Sequence, residues 1–306
     1  MAKSPHWSTL GESSTIIGIK ILLLMYTLFG RWGFRLILYP VMTYYYLSQT
    51  RARKASSYYL QRLRPFLDPA QQEHISSFKH FIMFGEILLD KFLVWMGKIK
   101  LEDVVFETPA TFDMIDNAQQ GSIIIVSHLG NTEVCSALAH QFPDLKLTVL
   151  VFTQHALKFN NLLKKVNDSP RIELLQVTEM TPEVAMKLSE CIEQGEHIVI
   201  AGDRTPVTGQ GRVSDVAFLG ETAALPQGAF ILANLLKCPV YLMFCLKQQK
   251  QYHIYLELFA KQFKCKRKER EQYVNTAVQQ YAHRLEYYCM KAPLQWFNFF
   301  PFWHGQ

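Results

Sequence analysis

Several features common in hydrolases and secreted proteins are missing from this 306-residue chain. Its six cysteines are scattered singly, with no Cys-x-x-Cys pair and no metal-ligand spacing, which argues against a disulfide framework. No Gly-x-Ser-x-Gly motif occurs, so the nucleophile elbow of the α/β-hydrolases is absent. No small-residue cleavage site follows the N-terminal apolar run, as a cleaved signal peptide requires. The sequence therefore predicts buried thiols, no metal and no bound redox cofactor.

Charged residues are also scarce, at 19% of the chain, against 49% hydrophobic and 13% aromatic residues. This composition is apolar for a soluble protein but not that of a polytopic membrane protein. The formal net charge of +6 favours an anionic partner such as a phospholipid surface or a phosphate group. No nucleic-acid partner is predicted.

The N-terminal segment, residues 1–47, is predicted to be a membrane anchor that precedes one domain at 48–306. Residues 15–29 are almost wholly apolar, and extension to residue 34 gives about 20 residues, or ~30 Å of helix. Residues 36–47 form a second apolar stretch, rich in the tyrosines that favour a membrane interface. We expect one tilted span or a re-entrant hairpin, with buried core helices as the alternative.

A basic group follows this segment directly. Arg51, Arg53 and Lys54 place the downstream domain on the cytoplasmic side of the membrane by the positive-inside rule, beside anionic head groups. Membrane phospholipid is therefore a predicted partner.

The remainder of the chain alternates apolar runs with helical patterns. Runs with strand character lie at 123–126, 147–152, 172–177, 198–201, 240–246 and 254–259. Helical patterns lie at 68–98, 132–141, 157–166, 182–194, 227–236 and 267–289. This alternation predicts an α/β fold with a largely parallel central sheet and helices on both faces.

A polar loop follows the first of these strands. His128 comes directly after residues 123–126, at the sheet edge where open α/β folds bind ligands. Glu133 begins the next helical pattern, close enough in a tight loop to face the imidazole. A carboxylate beside a histidine fixes its tautomer and stabilises the imidazolium, which a general base acting on a hydroxyl needs. A purely structural histidine is the alternative.

Asp203 and Arg204 follow the strand at 198–201. Since parallel strands bring their C-terminal ends to one edge, we expect the Asp203 carboxylate within about 10 Å of the His128 imidazole. Arg204 is a candidate anion contact. A surface ion pair is the alternative for both residues.

Two other segments carry candidate binding residues. His155, Lys158 and Asn160 follow the strand at 147–152 and can converge on a phosphate or a hydroxyl, unless they form a solvated loop. Further on, a Gly- and Pro-containing loop precedes the helix at 227–236, whose N-terminus can present N–H groups to an anion.

These segments together resemble the lysophospholipid acyltransferase superfamily. The sequence His-Leu-Gly-Asn-Thr-Glu at 128–133 is similar to its His-x4-Asp/Glu motif, and the flanking residues resemble the lipid A late-acyltransferase branch. Phe-Leu-Gly with Pro-x-Gly at 218–228 and Pro-x-Gln-Trp at 293–296 match later blocks in the expected order. Ala-Gly-Asp-Arg-x-Pro, Lys-Phe-Asn and Gln-Trp-Phe-Asn-Phe resemble the acyltransferases of bacterial aryl polyene biosynthesis.

The resemblance implies an O-acyltransferase on the cytoplasmic face of the bacterial inner membrane. Its donor is a thioester of acyl carrier protein or coenzyme A, and its acceptor is a lipid or glycolipid hydroxyl. The implied catalytic residues are His128 as general base, Glu133 as its support and Asp203 as a second acid. A lipid hydrolase and a non-catalytic lipid-binding scaffold are the rival functions. The implied substrate-binding residues are Gly130, Asn131, His155, Lys158, Asn160, Arg204, Gly220, Pro226 and Gly228.

Overall fold

The structure is a computed structural model that describes residues 12–116, 118, 120–138, 145–151, 172–177, 181–204 and 212–303. The predicted helix at 157–166 lies outside these residues, as do the predicted contacts of His155, Lys158 and Asn160.

Nine strands form within the described residues. They are β1 Val104–Phe106, β2 Ile123–Val126, β3 Leu147–Val151, β4 Ile172–Gln176, β5 His197–Ala201, β6 Val213–Phe218, β7 Glu221–Pro226, β8 Val240–Gln248 and β9 Gln251–Ala260. Seven of them make one sheet in the order β1-β9-β8-β2-β5-β3-β4, and β6 pairs with β7 as a separate hairpin. The strands β2, β3, β4, β5 and β8 run parallel, whereas β9 is antiparallel to β8. The predicted mostly parallel sheet is confirmed.

Helices cover both faces of this sheet. They are α1 Glu12–Ser48, α2 Thr50–Leu63, α3 Pro69–His74, α4 Ser77–Trp95, α5 Pro109–Asp116, α6 Thr132–Leu138, α7 Pro182–Glu193, α8 Gly228–Leu236 and α9 Arg270–Lys291. Alternate residues of β2 point to opposite faces, so Ile123 and Ile125 join one buried cluster while Ile124 and Val126 join the other. The first cluster includes α7, α8 and α9, and the second includes α1 and α4.

The helical pattern predicted over 68–98 is interrupted. Helix α3 ends before Ile75, which is extended, and Ser76 begins α4 because its hydroxyl accepts a hydrogen bond from the Lys79 amide at 3.2 Å. The break turns the chain so that α4 can lie across the sheet between α1 and the loop after β2.

Helix α1 bends at Gly30, where φ is +65°, and its second half packs on α4. Phe34, Leu38 and Met42 are buried there, whereas Trp32 and other large apolar residues on α1 are exposed. Within the described residues, no helix combines the length and the apolar content needed to cross a membrane. The predicted anchor and its boundary at residue 47 stay predictions.

Candidate active site

Strand register brings the two central side chains together. β2 and β5 are parallel neighbours, and Val126 is paired with Ala201 at their ends. His128 and Asp203 each lie two residues beyond that pair, so the chain places them side by side at the C-terminal edge of the sheet. The Nδ1 atom of His128 lies 2.8 Å from Oδ1 of Asp203, well inside the predicted 10 Å.

Asp203 holds both the backbone and the ring of His128. Its Oδ2 atom accepts hydrogen bonds from the His128 amide at 2.8 Å and from the Trp296 indole at 3.0 Å. Burial alone raises the pKa of Asp203, but the His128 charge and these hydrogen bonds hold that pKa below its ordinary value. The carboxylate is therefore ionised and accepts a hydrogen bond from Nδ1–H, which leaves Nε2 with the lone pair of the neutral imidazole.

Glu133 has a different partner from the one predicted. Its carboxylate lies 3.5 Å from the Lys91 ammonium on α4. Among the described residues, no hydrogen bond or ion pair joins Glu133 to His128, whose Nδ1 is already bound to Asp203. The support of His128 by Glu133 stays a prediction, which this geometry does not favour. Glu133 lies in the first turn of helix α6, and its side chain reaches Lys91 of α4.

The loop after His128 is clamped between two other segments. The Gly130 amide donates to the Gln295 carbonyl and the Phe297 amide donates to the His128 carbonyl, so that residues 295–297 run antiparallel to the loop. On the other side, the Asn131 amide donates to the Cys245 carbonyl of β8 at 2.8 Å. Gly130 has a φ of +76°, and a Cβ there would lie 1.9 Å from that carbonyl oxygen. Position 130 therefore accommodates only glycine.

A chain of hydrogen bonds supports Asp203 from behind. The Ser56 hydroxyl lies 2.9 Å from Nδ1 of His80, and Nε2 of His80 donates to the Trp296 carbonyl at 3.0 Å. The Trp296 indole then donates to Asp203. Burial lowers the pKa of His80 to about 3, so the ring is neutral and keeps this single donor direction. The sequence interpretation missed Trp296 and His80, since the Gln-Trp pair was noted only as a motif.

A cleft of about 1140 Å³ opens over His128. Apolar and aromatic side chains form most of its wall. Basic side chains also line the cleft. The apolar residues are Ala52, Phe84, Ile87, Leu88, Val126, Ala201, Phe297, Phe299, Phe300 and Pro301. The basic residues are Arg51, Lys91 and Arg204, and Gln49, Ser127, Gly130, Thr132 and Glu133 complete the lining. Lys91 was missed, although Asp90 and Lys91 are conspicuous charges within the apolar run of α4.

Of the predicted binding residues, Arg204 and Gly130 line the cleft. Arg204 also donates to the Phe297 carbonyl at 3.2 Å, which ties it to the clamp. Asn131 does not line the cleft, because its side chain is fully buried and lies 3.5 Å from the Tyr252 hydroxyl. Its role as a substrate contact stays a prediction.

The predicted Gly- and Pro-containing loop is part of the β6–β7 hairpin and does not line the cleft. Gly220 lies in the hairpin turn, Pro226 ends β7, and Gly228 begins α8. The side-chain amide of Gln227 donates hydrogen bonds to the Val213 carbonyl and to the Asn275 side-chain oxygen. None of Gly220, Pro226 and Gly228 lines the cleft, and their role as substrate contacts stays a prediction.

Within the part of the chain that the structure describes, no group of three histidine, cysteine or acidic residues is arranged to hold a metal ion.

A mostly parallel α/β sheet whose edge carries a histidine beside an amphipathic cleft agrees with the acyltransferase class that the sequence motifs resemble. Residues 83–304 match the family of bacterial lipid A biosynthesis acyltransferases, and the chain belongs to that family. It is an acyltransferase of lipid biosynthesis, which moves an acyl group from a donor to a lipid acceptor. The predicted superfamily and enzyme class are confirmed. Among curated proteins, no significant match to the chain is found.

Proposed function

We propose that the cleft transfers an acyl chain from the thioester of an acyl carrier protein or coenzyme A to a hydroxyl of a lipid or glycolipid. The observation that carries this proposal is the hydrogen bond from His128 to Asp203, which assigns the ring proton to Nδ1. No described residue lies within hydrogen-bonding distance of Nε2, and His128 lines the cleft. Nε2 is therefore available as the general base.

In the proposed reaction, Nε2 of His128 takes the proton of the acceptor hydroxyl as its oxygen attacks the thioester carbonyl carbon. The new C–O bond forms a tetrahedral oxyanion, which collapses with cleavage of the C–S bond. The imidazolium returns its proton to the leaving thiolate, so that an ester and a free thiol result. Asp203 stabilises the imidazolium during the reaction and holds its orientation, as the acid of a catalytic triad does.

The oxyanion needs a donor from outside the His128 loop. The amides of residues 128, 129, 130 and 131 already donate to Asp203, Ser127, Gln295 and Cys245, respectively. The cations of the cleft, Arg51, Lys91 and Arg204, are then the described groups that can stabilise the developing charge. A side-chain cation is therefore a better candidate for this role than the backbone amides of the His128 loop.

The form of the cleft supports an amphipathic substrate. Its aromatic and aliphatic wall suits an acyl chain, whose transfer from water is favourable by about 0.8 kcal/mol per buried methylene group. The three cations suit a phosphorylated or otherwise anionic head group. The resemblance to the aryl polyene branch supports an acceptor lipid of that biosynthesis, which is part of this proposal.

Membrane contact through α1 is a further part of the proposal. One face of α1 exposes large apolar and aromatic side chains, and the opposite face packs on α4. The exposed set is Leu24, Leu28, Phe29, Trp32, Leu36, Tyr39, Tyr44, Tyr45 and Leu47. Such a face can enter the acyl and head-group boundary of a bilayer. Arg51 and Lys54, also exposed, then lie beside anionic lipid at the cytoplasmic face of the inner membrane.

The test uses the full chain and its His128→Ala variant, reconstituted with vesicles of phosphatidylethanolamine and phosphatidylglycerol. Lipids from a deletion strain serve as acceptor, with acyl carrier protein and coenzyme A thioesters as alternative donors. We expect an ester product by mass spectrometry, with a turnover in His128→Ala lower by roughly two to four orders of magnitude. Flotation of the same vesicles with both proteins measures membrane contact.

The rivals give different products. A hydrolase releases free fatty acid without an acceptor, and a scaffold floats with lipid but turns nothing over. Near-normal turnover in a folded His128→Ala protein would remove the general base from the mechanism. A chain that stays with the soluble fraction under all vesicle compositions contradicts the membrane contact.

A further inference from the structure

A buried ion cluster lies between α1, α4 and the sheet, away from the residues that line the cleft. Its centre is Asp90 on α4, whose side chain is fully buried. One carboxylate oxygen binds the Arg31 guanidinium of α1. The other accepts hydrogen bonds from the Lys247 ammonium at 2.6 Å and from the Tyr252 hydroxyl at 2.5 Å. Side chains from α1 and from the β8–β9 hairpin therefore meet at one carboxylate of α4.

Two routes lead from Asp90 to the His128 loop. In the first, the Tyr252 hydroxyl donates to Asp90, and the buried Asn131 amide group lies 3.5 Å from the same hydroxyl. Burial and the charge of Asp90 raise the pKa of Tyr252, so that its hydroxyl keeps the proton that it donates. Asn131 is the residue that ends the clamped loop.

The second route runs through β8. The Lys247 amide donates to the Gln295 side chain at 2.9 Å, and that side chain donates back to the Lys247 carbonyl at 2.7 Å. The Gln295 carbonyl accepts from the Gly130 amide, and Gln295 precedes Trp296, which donates to Asp203. A displacement of Lys247 would therefore shift the contacts that hold both His128 and Asp203.

We propose that Arg31 of the N-terminal helix is a positioning residue for acyl transfer, which acts through Asp90 to hold the His128 loop in its reactive geometry. The proposal rests on the proposed function of the cleft and adds a second task to α1, beyond contact with a membrane. Without Arg31, Asp90 keeps Lys247 as its one cation among the described residues, and both the Tyr252 and Lys247 contacts are free to shift. A shift of about 1 Å at reacting atoms lowers rates strongly.

The chain offers a matched control in Arg35, one helical turn further along α1. Arg35 binds Glu86 at 2.5 Å, and among the described residues no hydrogen bond or ion pair joins it to Asp90; its side chain is more exposed than that of Arg31. Arg31→Met and Arg35→Met remove the same charge from the same helix and add the same apolar side chain. Arg31 also contacts Glu86 at 3.3 Å, so each variant removes one partner of Glu86, whereas only Arg31→Met removes the contact with Asp90.

The experiment measures kinetics and amide hydrogen exchange of the full chain in vesicles. We expect Arg31→Met to lower kcat by roughly 10- to 100-fold with little change in KM, and Arg35→Met to stay within about threefold of wild type. We also expect the amides of Gly130 and Asn131 to exchange at least about tenfold faster in Arg31→Met alone. The Ile198 amide, which donates to the Ser122 carbonyl, is the internal reference and should not change.

Equal exchange at Gly130 and Asn131 in wild type and Arg31→Met would overturn the proposal, as would equal losses of kcat in the two arginine variants. If Arg31→Met is not recovered folded, Arg31→Lys is measured against the same criteria. The exchange readout needs no substrate. A wild-type chain that fails to transfer any acyl group therefore counts against the proposed function, while the exchange data still decide the role of Arg31.

Discussion

Two acidic residues lie near the proposed base, and the structure gives them different surroundings. Asp203 is 2% exposed and receives hydrogen bonds from the ring and amide of His128 and from the Trp296 indole. Glu133 has a side chain 23% exposed and pairs with Lys91 at 3.5 Å across the cleft wall. Glu133 is five residues from His128 in sequence, whereas Asp203 is 75 residues away.

The difference shows that strand register, and not distance along the chain, sets which acid meets the imidazole. Paired ends of parallel strands fix equivalent positions about 4.8 Å apart, which is the spacing of neighbouring strands. Glu133 instead belongs to the first turn of α6, which leaves the sheet. The two acids consequently have different proposed tasks. Asp203 orients the base, and Glu133 holds a cation of the cleft.

The largest expected effect comes from Asp203→Asn. The substitution keeps the size of the side chain but removes the charge that stabilises the imidazolium, so we expect kcat to fall by roughly two to three orders of magnitude. The apparent KM for the acyl donor should change little, because the acid does not line the cleft. Steady-state kinetics with a thioester donor measures both. Normal turnover in a folded Asp203→Asn protein would contradict the assignment of Asp203 to the base.

Much of the fold and the meeting of His128 with Asp203 could be predicted from the sequence. The strands are short apolar runs with clear boundaries, and their alternation with helices implies a parallel sheet. Two polar residues that follow adjacent parallel strands must share one edge. The shared edge follows from the order of elements, whereas the adjacency of β2 and β5, which are not consecutive strands, is known only from the sheet order.

The partner of Glu133 could not be predicted, because it depends on how α4 crosses the sheet. The sequence predicts Lys91 on an apolar helix, but it does not indicate which face of the sheet that helix covers. Asn131 illustrates the same limit, since a polar residue in a catalytic loop suggests a substrate contact, whereas the fold buries it beside Tyr252. Trp296 lies 93 residues beyond Asp203, and nothing in local pattern relates the two.

The second largest expected effect is a loss of folding stability at low pH. It tests the hydrogen-bond chain from His80 through Trp296 to Asp203. Burial lowers the pKa of His80 to about 3 and that of His197 to about 4, against an ordinary value of 6.5. The unfolded chain therefore binds protons that the folded chain does not, and stability falls as the pH drops below about 6.5. At pH 5 each histidine costs about 2 kcal/mol relative to neutral pH.

Denaturant unfolding of wild type and His80→Asn at pH 7 and pH 5 measures this effect. Asparagine can accept from Ser56 and does not titrate, so the variant should lose less stability between the two pH values than wild type does. An equal loss of stability between pH 7 and pH 5 in both proteins would show that protonation of His80 does not destabilise the folded state. His197, bound to Ser122, remains as the unaltered reference in both proteins.

The smallest expected effect comes from Glu133→Gln. Its ion pair with Lys91 joins two partly exposed side chains, and such pairs contribute about 1 kcal/mol or less. If Glu133 acts only by holding Lys91, its neutralisation should lower kcat by about tenfold or less, far below the effect of Asp203→Asn. The double variant Lys91→Met/Glu133→Gln should then be no slower than Lys91→Met alone, because the pair acts as one unit. A loss in Glu133→Gln that equals the loss in Asp203→Asn would reverse the comparison and return Glu133 to the proton-transfer step.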